Sequence, residues 1–182
     1  MSSLNRKLIF LIVFGVTLFF LNTLVFAVDD DIILNADSIV YDGIDNVIVA
    51  EGNVVATKKD DDVVLKSDKA FYYTKNKIIK LVKNIKVTKN KITLTCDLVT
   101  ADFSNKTIRA QKNVKFTYED ITATSKEALY LLKEDKLSLI GNSTVWQKDD
   151  KLTGENIIIF IKSKRVQTEG RTKVILSPER LK

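Results

Sequence analysis

The residues of this chain whose types and spacing could do chemistry are its carboxylates. Asp37, Asp68 and Asp97 recur at intervals of about 30 residues, each after a small residue (Ala36, Ser67, Cys96), and Glu155 holds the same place after Gly154. Calcium is the cation such a series would suit, but it takes about 6–8 oxygen ligands and each interval offers roughly one carboxylate. The first reading is therefore local: short acidic side chains that satisfy backbone or side-chain donors at an irregularity in a strand. Asp60-Asp61-Asp62 reads as a solvated loop between repeats rather than as an acid/base pair. The chain has no histidine, which removes the commonest general base and the Ser-His and Cys-His pairs of nucleophilic catalysis. Cys96 is the only cysteine, so it forms no disulfide within the chain and implies no zinc site. The six glycines form no phosphate-binding loop. No catalytic residue, metal site or cofactor is expected, and the chain reads as a protein that is not an enzyme.

The elements that carry these carboxylates repeat with them. Segments starting at Leu34, Leu65, Leu94, Ala123 and Leu152 give about five repeats of about 29 residues. In each, the small residue two positions on precedes the acidic position, which is Lys126 in the fourth repeat. Alternating apolar pairs follow, Ile39/Tyr41, Ala70/Tyr72, Val99/Ala101, Ala128/Tyr130 and Ile157/Ile159, as on one face of a strand. Polar residues such as Asp45-Asn46 and Asn105-Lys106 then predict a tight turn, and a return strand carries Ile48/Ala50, Ile79/Leu81, Ile108/Ala110, Leu137/Leu139 and Val166/Thr168. A corner at Gly52-Asn53, Lys83-Asn84, Lys112-Asn113, Gly141-Asn142 or Gly170-Arg171 leads into a further strand such as Val54-Val55-Ala56, so each repeat is expected to supply about three short strands.

Side chains alternate faces along a strand, yet the apolar positions switch from even to odd offsets at the acidic residue. That switch predicts a bulge or bend there. Ser125 to Glu134 is rich in helix formers behind an N-cap residue, but its register with the other repeats predicts a strand.

At the N terminus, Arg6 and Lys7 precede an apolar run from Leu8 to Leu21 and the small-residue site Val25-Phe26-Ala27. This order reads as a signal peptide over residues 1–27, with a single exported domain over 28–182. Residues 8–28 carry no charge and are also long enough to span a bilayer as an anchor. Removing residues 1–27 takes two of the 29 basic residues and none of the 23 acidic ones from a chain of net charge +6. The remainder is mildly basic with both signs interspersed, and no basic cluster is dense enough to argue for nucleic acid.

The phrases Ala36-Asp37-Ser38-Ile39-Val40-Tyr41-Asp42 and Val49-Ala50-Glu51-Gly52-Asn53-Val54-Val55, with their echoes through about residues 32–176, resemble the LptA/OstA-like family of periplasmic lipopolysaccharide-transport proteins. The resemblance implies an all-β fold, an open twisted β-jellyroll or solenoid of about sixteen strands, with a groove that shields the lipid A acyl chains of lipopolysaccharide. It implies bridging between an inner-membrane LptC-like and an outer-membrane LptD-like partner by edge-to-edge stacking, with head-to-tail homo-oligomers. Lys126, Ser143, Thr172 and Ile159 depart from the pattern in repeats four and five.

Elementary physics makes the same function reasonable, because an unclosed stack leaves an apolar slot and each buried CH₂ of an acyl chain is worth about 0.8 kcal/mol. The candidate lipid-binding residues are Ile39, Tyr41, Val54, Ala70, Tyr72, Ile79, Leu81, Ile85, Val99, Ile108, Ala110, Val114 and Phe116; the competing reading of each is an ordinary closed core. Trp146, the only tryptophan, reads as a core or rim residue. Two other functions fit the sequence: a membrane-anchored LptC-like relative, and a structural envelope solenoid without ligand.

Overall fold

A computed structural model of the protein describes residues 32–58, 63–131, 133–134, 136–160, 163 and 165–177. Residues 1–27, read above as a signal peptide, the uncharged run 8–28 and Asp60-Asp61-Asp62 lie outside the described residues. The chain reverses where polar residues take left-handed conformations: Asn46, Lys77, Asn90, Lys106, Glu119 and Lys148 all have φ between 51° and 57°. Between these reversals run β1 (Ile32–Asn35), β2 (Ser38–Asp42), β3 (Val47–Lys58), β4 (Val63–Tyr73), β5 (Ile78–Lys89), β6 (Ile92–Asp102), β7 (Thr107–Tyr118), β8 (Ile121–Leu131), β9 (Lys136–Gln147), β10 (Asp150–Phe160), β11 (Arg165–Glu169) and β12 (Lys173–Ile175). The segment around Ser125 is a strand, as its register predicts, because its pairing with both neighbours outweighs its helix propensity.

The described strands form one antiparallel twelve-stranded sheet, each long strand pairing with the next. β1 and β2 both pair with β3 at one edge, and β11 and β12 both pair with β10 at the other, so the sheet is open. The three middle repeats each supply two long bent strands rather than three short ones, and the first and last repeats each have one long strand with two short ones. The described residues hold twelve strands where the resemblance implies about sixteen. The reason is that the corner does not end the hydrogen-bond ladder. At Lys83-Asn84 and Lys112-Asn113 two consecutive residues at positive φ oppose one residue, Asp97 and Lys126 respectively, and regular pairing resumes on either side.

These bulges line up from strand to strand and crease the sheet, dividing it into two walls. The first wall lies toward the turns at 43–46 and 74–77, the second toward those near Asn90 and Glu119. Their inner faces pack on each other: Leu81, Val99 and Ala110 of the first share a cluster with Ile85, Val87 and Val114 of the second. Nearer the C terminus, Leu137, Leu139, Ile157 and Ile159 pack with Phe116, Ile121 and Val145. The even-to-odd switch in the sequence keeps apolar side chains on the inner face as the strand crosses the crease.

Candidate functional site

The crease explains the carboxylates. The side-chain amides of Asn53, Asn84 and Asn113 donate to the carboxylates of Asp37, Asp68 and Asp97 at 2.9, 2.9 and 2.6 Å, and the Asp37 N–H donates to the Gly52 carbonyl at 2.9 Å. Asn tolerates left-handed φ and brings a donor with it, so one side chain satisfies both demands of the bulge. At the Lys126 crossing the acceptor is missing, and Asn142 faces a second donor type. The small residues before the acidic positions line the inside of the crease, where the walls converge; Ser67, Cys96, Ser125 and Gly154 are all buried. Burial pushes the Cys96 thiol up to about 11, so it stays protonated at physiological pH, where the thiolate is the reactive form. Ellman's reagent is therefore expected to label Cys96 only after the walls are separated by denaturant; fast labelling of the folded protein near pH 7 would contradict this packing.

The apolar candidates from the sequence all fall on the inner face. One row runs across the first wall through directly paired positions: Tyr41, Ile48, Tyr72, Ile79, Ala101, Ile108, Tyr130, Leu137 and Ile159. Ile79 and Ile108 thus share one stripe. Beside it run Ile39, Ala70, Leu81, Val99 and Ala110, while Val54, Ile85, Val114 and Phe116 line the second wall.

Exposure along these rows falls inward from the N-terminal edge but unevenly, for Ala50 and Val54 near that edge are already 1% exposed. At the N-terminal end Tyr41 is 61% and Ile39 49% exposed, and Tyr72 is still exposed. Ala70, Ile79 and Ile108 are half-buried. Val54, Leu81, Ile85, Val99, Ala110, Val114 and Phe116 are buried, and Val145, Ile157 and Ile159 reach 0%. The space between the walls is a slot open at its N-terminal end, closed around β9 and β10, and partly open again at the C-terminal edge, where Val174, paired with the inner-face Leu152, is 51% exposed. Sequence reasoning missed Leu34, which is exposed on the inner face of β1, and the buried Tyr130, Leu137, Leu139 and Ile157; their offsets match those of the chosen residues and could have marked them. Trp146 belongs to neither core nor slot. Its register with Thr122 places it on the outer face of the second wall, half-buried, with the Lys151 ammonium 5.4 Å from its ring centre.

Residues 33–165 match the family described as LptA/(LptD N-terminal domain) LPS transport protein. Among solved structures, the chain is similar to LptH from Pseudomonas aeruginosa, described as the LptA homologous periplasmic component of the conserved lipopolysaccharide transport device. Identity is 18%, with 82% of this chain and 97% of that chain covered and a TM-score of 0.36. A comparison with curated proteins found no match. The family match runs from the second residue of β1 to the first of β11, through every long bent strand that builds the slot, and on it the chain belongs to the LptA/(LptD N-terminal domain) family of LPS transport proteins.

Proposed function

We propose that this protein is a periplasmic carrier that takes the acyl chains of lipopolysaccharide between its two walls, entering at the N-terminal end, and that it catalyses no reaction. The observation that carries this reading is the exposure of Tyr41, Ile39 and Tyr72 on the inner face at the N-terminal edge of rows that are buried by Ile157 and Ile159. A closed core would bury Tyr41, Ile39 and Tyr72 as it buries Ile157 and Ile159, whereas apolar side chains exposed at one mouth of a continuous apolar layer suit a ligand with several hydrocarbon tails. The open edges support assembly: β1 and β2 present unpaired backbone groups at one end, and β11 and β12 at the other, which are templates for strand addition. On this reading an LptC-like partner meets the first edge, an LptD-like partner meets the last, and copies of this chain can stack between them after residues 1–27 are removed.

A photoreactive amino acid placed in living cells at Tyr41 is expected to crosslink lipopolysaccharide, and at Ile159 to crosslink none. At Val40, which is exposed on the free edge strand β2, the expected crosslink is to a polypeptide. Equal lipid capture at Tyr41 and Ile159 would remove the directional slot, and absence of any polypeptide adduct at Val40 would remove edge docking there.

A further inference from the structure

The outer faces of the two walls differ in charge. On the first wall two outward cations are matched by acids, Lys69 by Glu51 and Arg109 by Glu127 at 2.6 Å, while Lys136 and Arg165 lie over the Phe160 ring. The second wall shows two outward rows that cross the sheet from β1 to β12 through directly paired positions. Five lysines stand in them, Lys66, Lys86, Lys115, Lys151 and Lys173, with threonines filling most of the remaining positions and no carboxylate in either row. Lys66 and Lys86 sit directly opposite each other on neighbouring strands. Like charges so placed destabilise a sheet, and among the described residues neither has a carboxylate partner. Trp146 presents its ring on the same face, with Lys151 over it.

We propose that this face binds a linear anionic polysaccharide lying across the strands. Charge complementarity calls for an anion, and the lysines supply point charges on long stems that meet carboxylate or phosphate groups. Threonine hydroxyls both donate and accept hydrogen bonds, which sugar hydroxyls need and bare polyanions do not. An aromatic face beside a cation offers a platform for a sugar ring. The rows extend for about 40 Å at the usual strand spacing, and a sheet of this width twists progressively. A flexible polymer can follow such a row, whereas a planar bilayer meets only a few strands of it.

The test uses the chain in the form its own envelope holds, with Trp146 fluorescence and sedimentation as readouts. Polygalacturonate is expected to bind and to shift Trp146 emission, and neutral dextran to do neither. Lys66→Gln/Lys86→Gln/Lys115→Gln is expected to weaken polygalacturonate binding by about thirtyfold, about threefold for each surface charge pair lost. The same number of substitutions at the exposed turn residues Lys75, Lys106 and Lys133 is expected to change it less than twofold, which separates this face from net charge. The three face substitutions lie at exposed positions, and Lys86→Gln alone is expected to raise the melting temperature slightly by relieving its opposition to Lys66. Equal weakening by both triple variants would overturn the proposal. So would polyphosphate or phosphatidylglycerol vesicles binding as tightly as polygalacturonate, because attraction would then be to charge alone.

Discussion

Val145→Asp is expected to leave no folded protein at 25 °C, while Tyr41→Asp folds normally and fails to take up lipid. Both positions lie on the inner face, one on each wall, and differ in what surrounds them. Val145 is completely buried within the sealed cluster of Leu137, Leu139, Ile157 and Ile159, and burying an unpaired carboxylate there costs several kcal/mol. That is a large part of the about 5–15 kcal/mol by which a domain is held folded. Tyr41 keeps 61% of its surface in water, so a carboxylate at that position stays solvated and the fold is indifferent to it. It does set a charge at the mouth of the slot, where acyl chains would enter. Circular dichroism and thermal melting report the first effect, and lipopolysaccharide co-purification the second. A Val145→Asp variant that melts cooperatively within a few degrees of the parent would show that this cluster is not closed. A Tyr41→Asp variant that is folded and still carries lipid in full would remove Tyr41 from the entrance.

Asn113→Val is expected to lower the melting temperature by about 5–10 °C, and Lys112→Gly to raise it by about 2–4 °C. Asn113 sits at φ 55° and its amide donates to Asp97 at 2.6 Å. A β-branched residue is strained in that conformation and offers no donor, so strain and lost hydrogen bond together cost about 2–3 kcal/mol. Lys112 occupies φ 63° where the first and fourth crossings carry glycine, Gly52 at φ 73° and Gly141 at φ 82°. Glycine there relieves about 1 kcal/mol of left-handed strain. Asn142→Val provides the internal comparison. Its crossing has Lys126 in place of the carboxylate, so only the backbone strain is at stake and the fall should be smaller by about 1 kcal/mol. Equal losses at Asn113 and Asn142 would show that the amide-carboxylate bonds across the crease contribute nothing.

Much of this architecture is legible in the chain because it is local. Alternating apolar pairs fix where strands run, and polar turn residues fix where they reverse. The offset switch at Asp37, Asp68 and Asp97 fixes where each strand bends, and for Ser125 to Glu134 the repeat register rightly overrides helix propensity. The corner residues mislead for an identifiable reason. Two adjacent residues at positive φ look like the end of a strand when read alone, yet at Lys83-Asn84 and Lys112-Asn113 the next strand sets one residue opposite them, the preceding strand supplies the carboxylate of Asp68 or Asp97 for the asparagine amide, and the ladder continues. Whether such a corner terminates a strand depends on what lies opposite it, which a single segment does not contain.

By itself, then, the sequence determines the period, the inward and outward alternation and the carboxylate positions, since each follows from backbone sterics and side-chain chemistry within a few residues. Only the tertiary structure decides that Tyr41, Tyr72 and Ile159, equivalent in pattern and joined in one row, run from exposed to fully buried. It also sets Trp146 among lysines and threonines on an outer face. Periodicity states which side of a strand is apolar; how closely the facing wall approaches, and where it stops, depends on contacts between residues far apart in the chain.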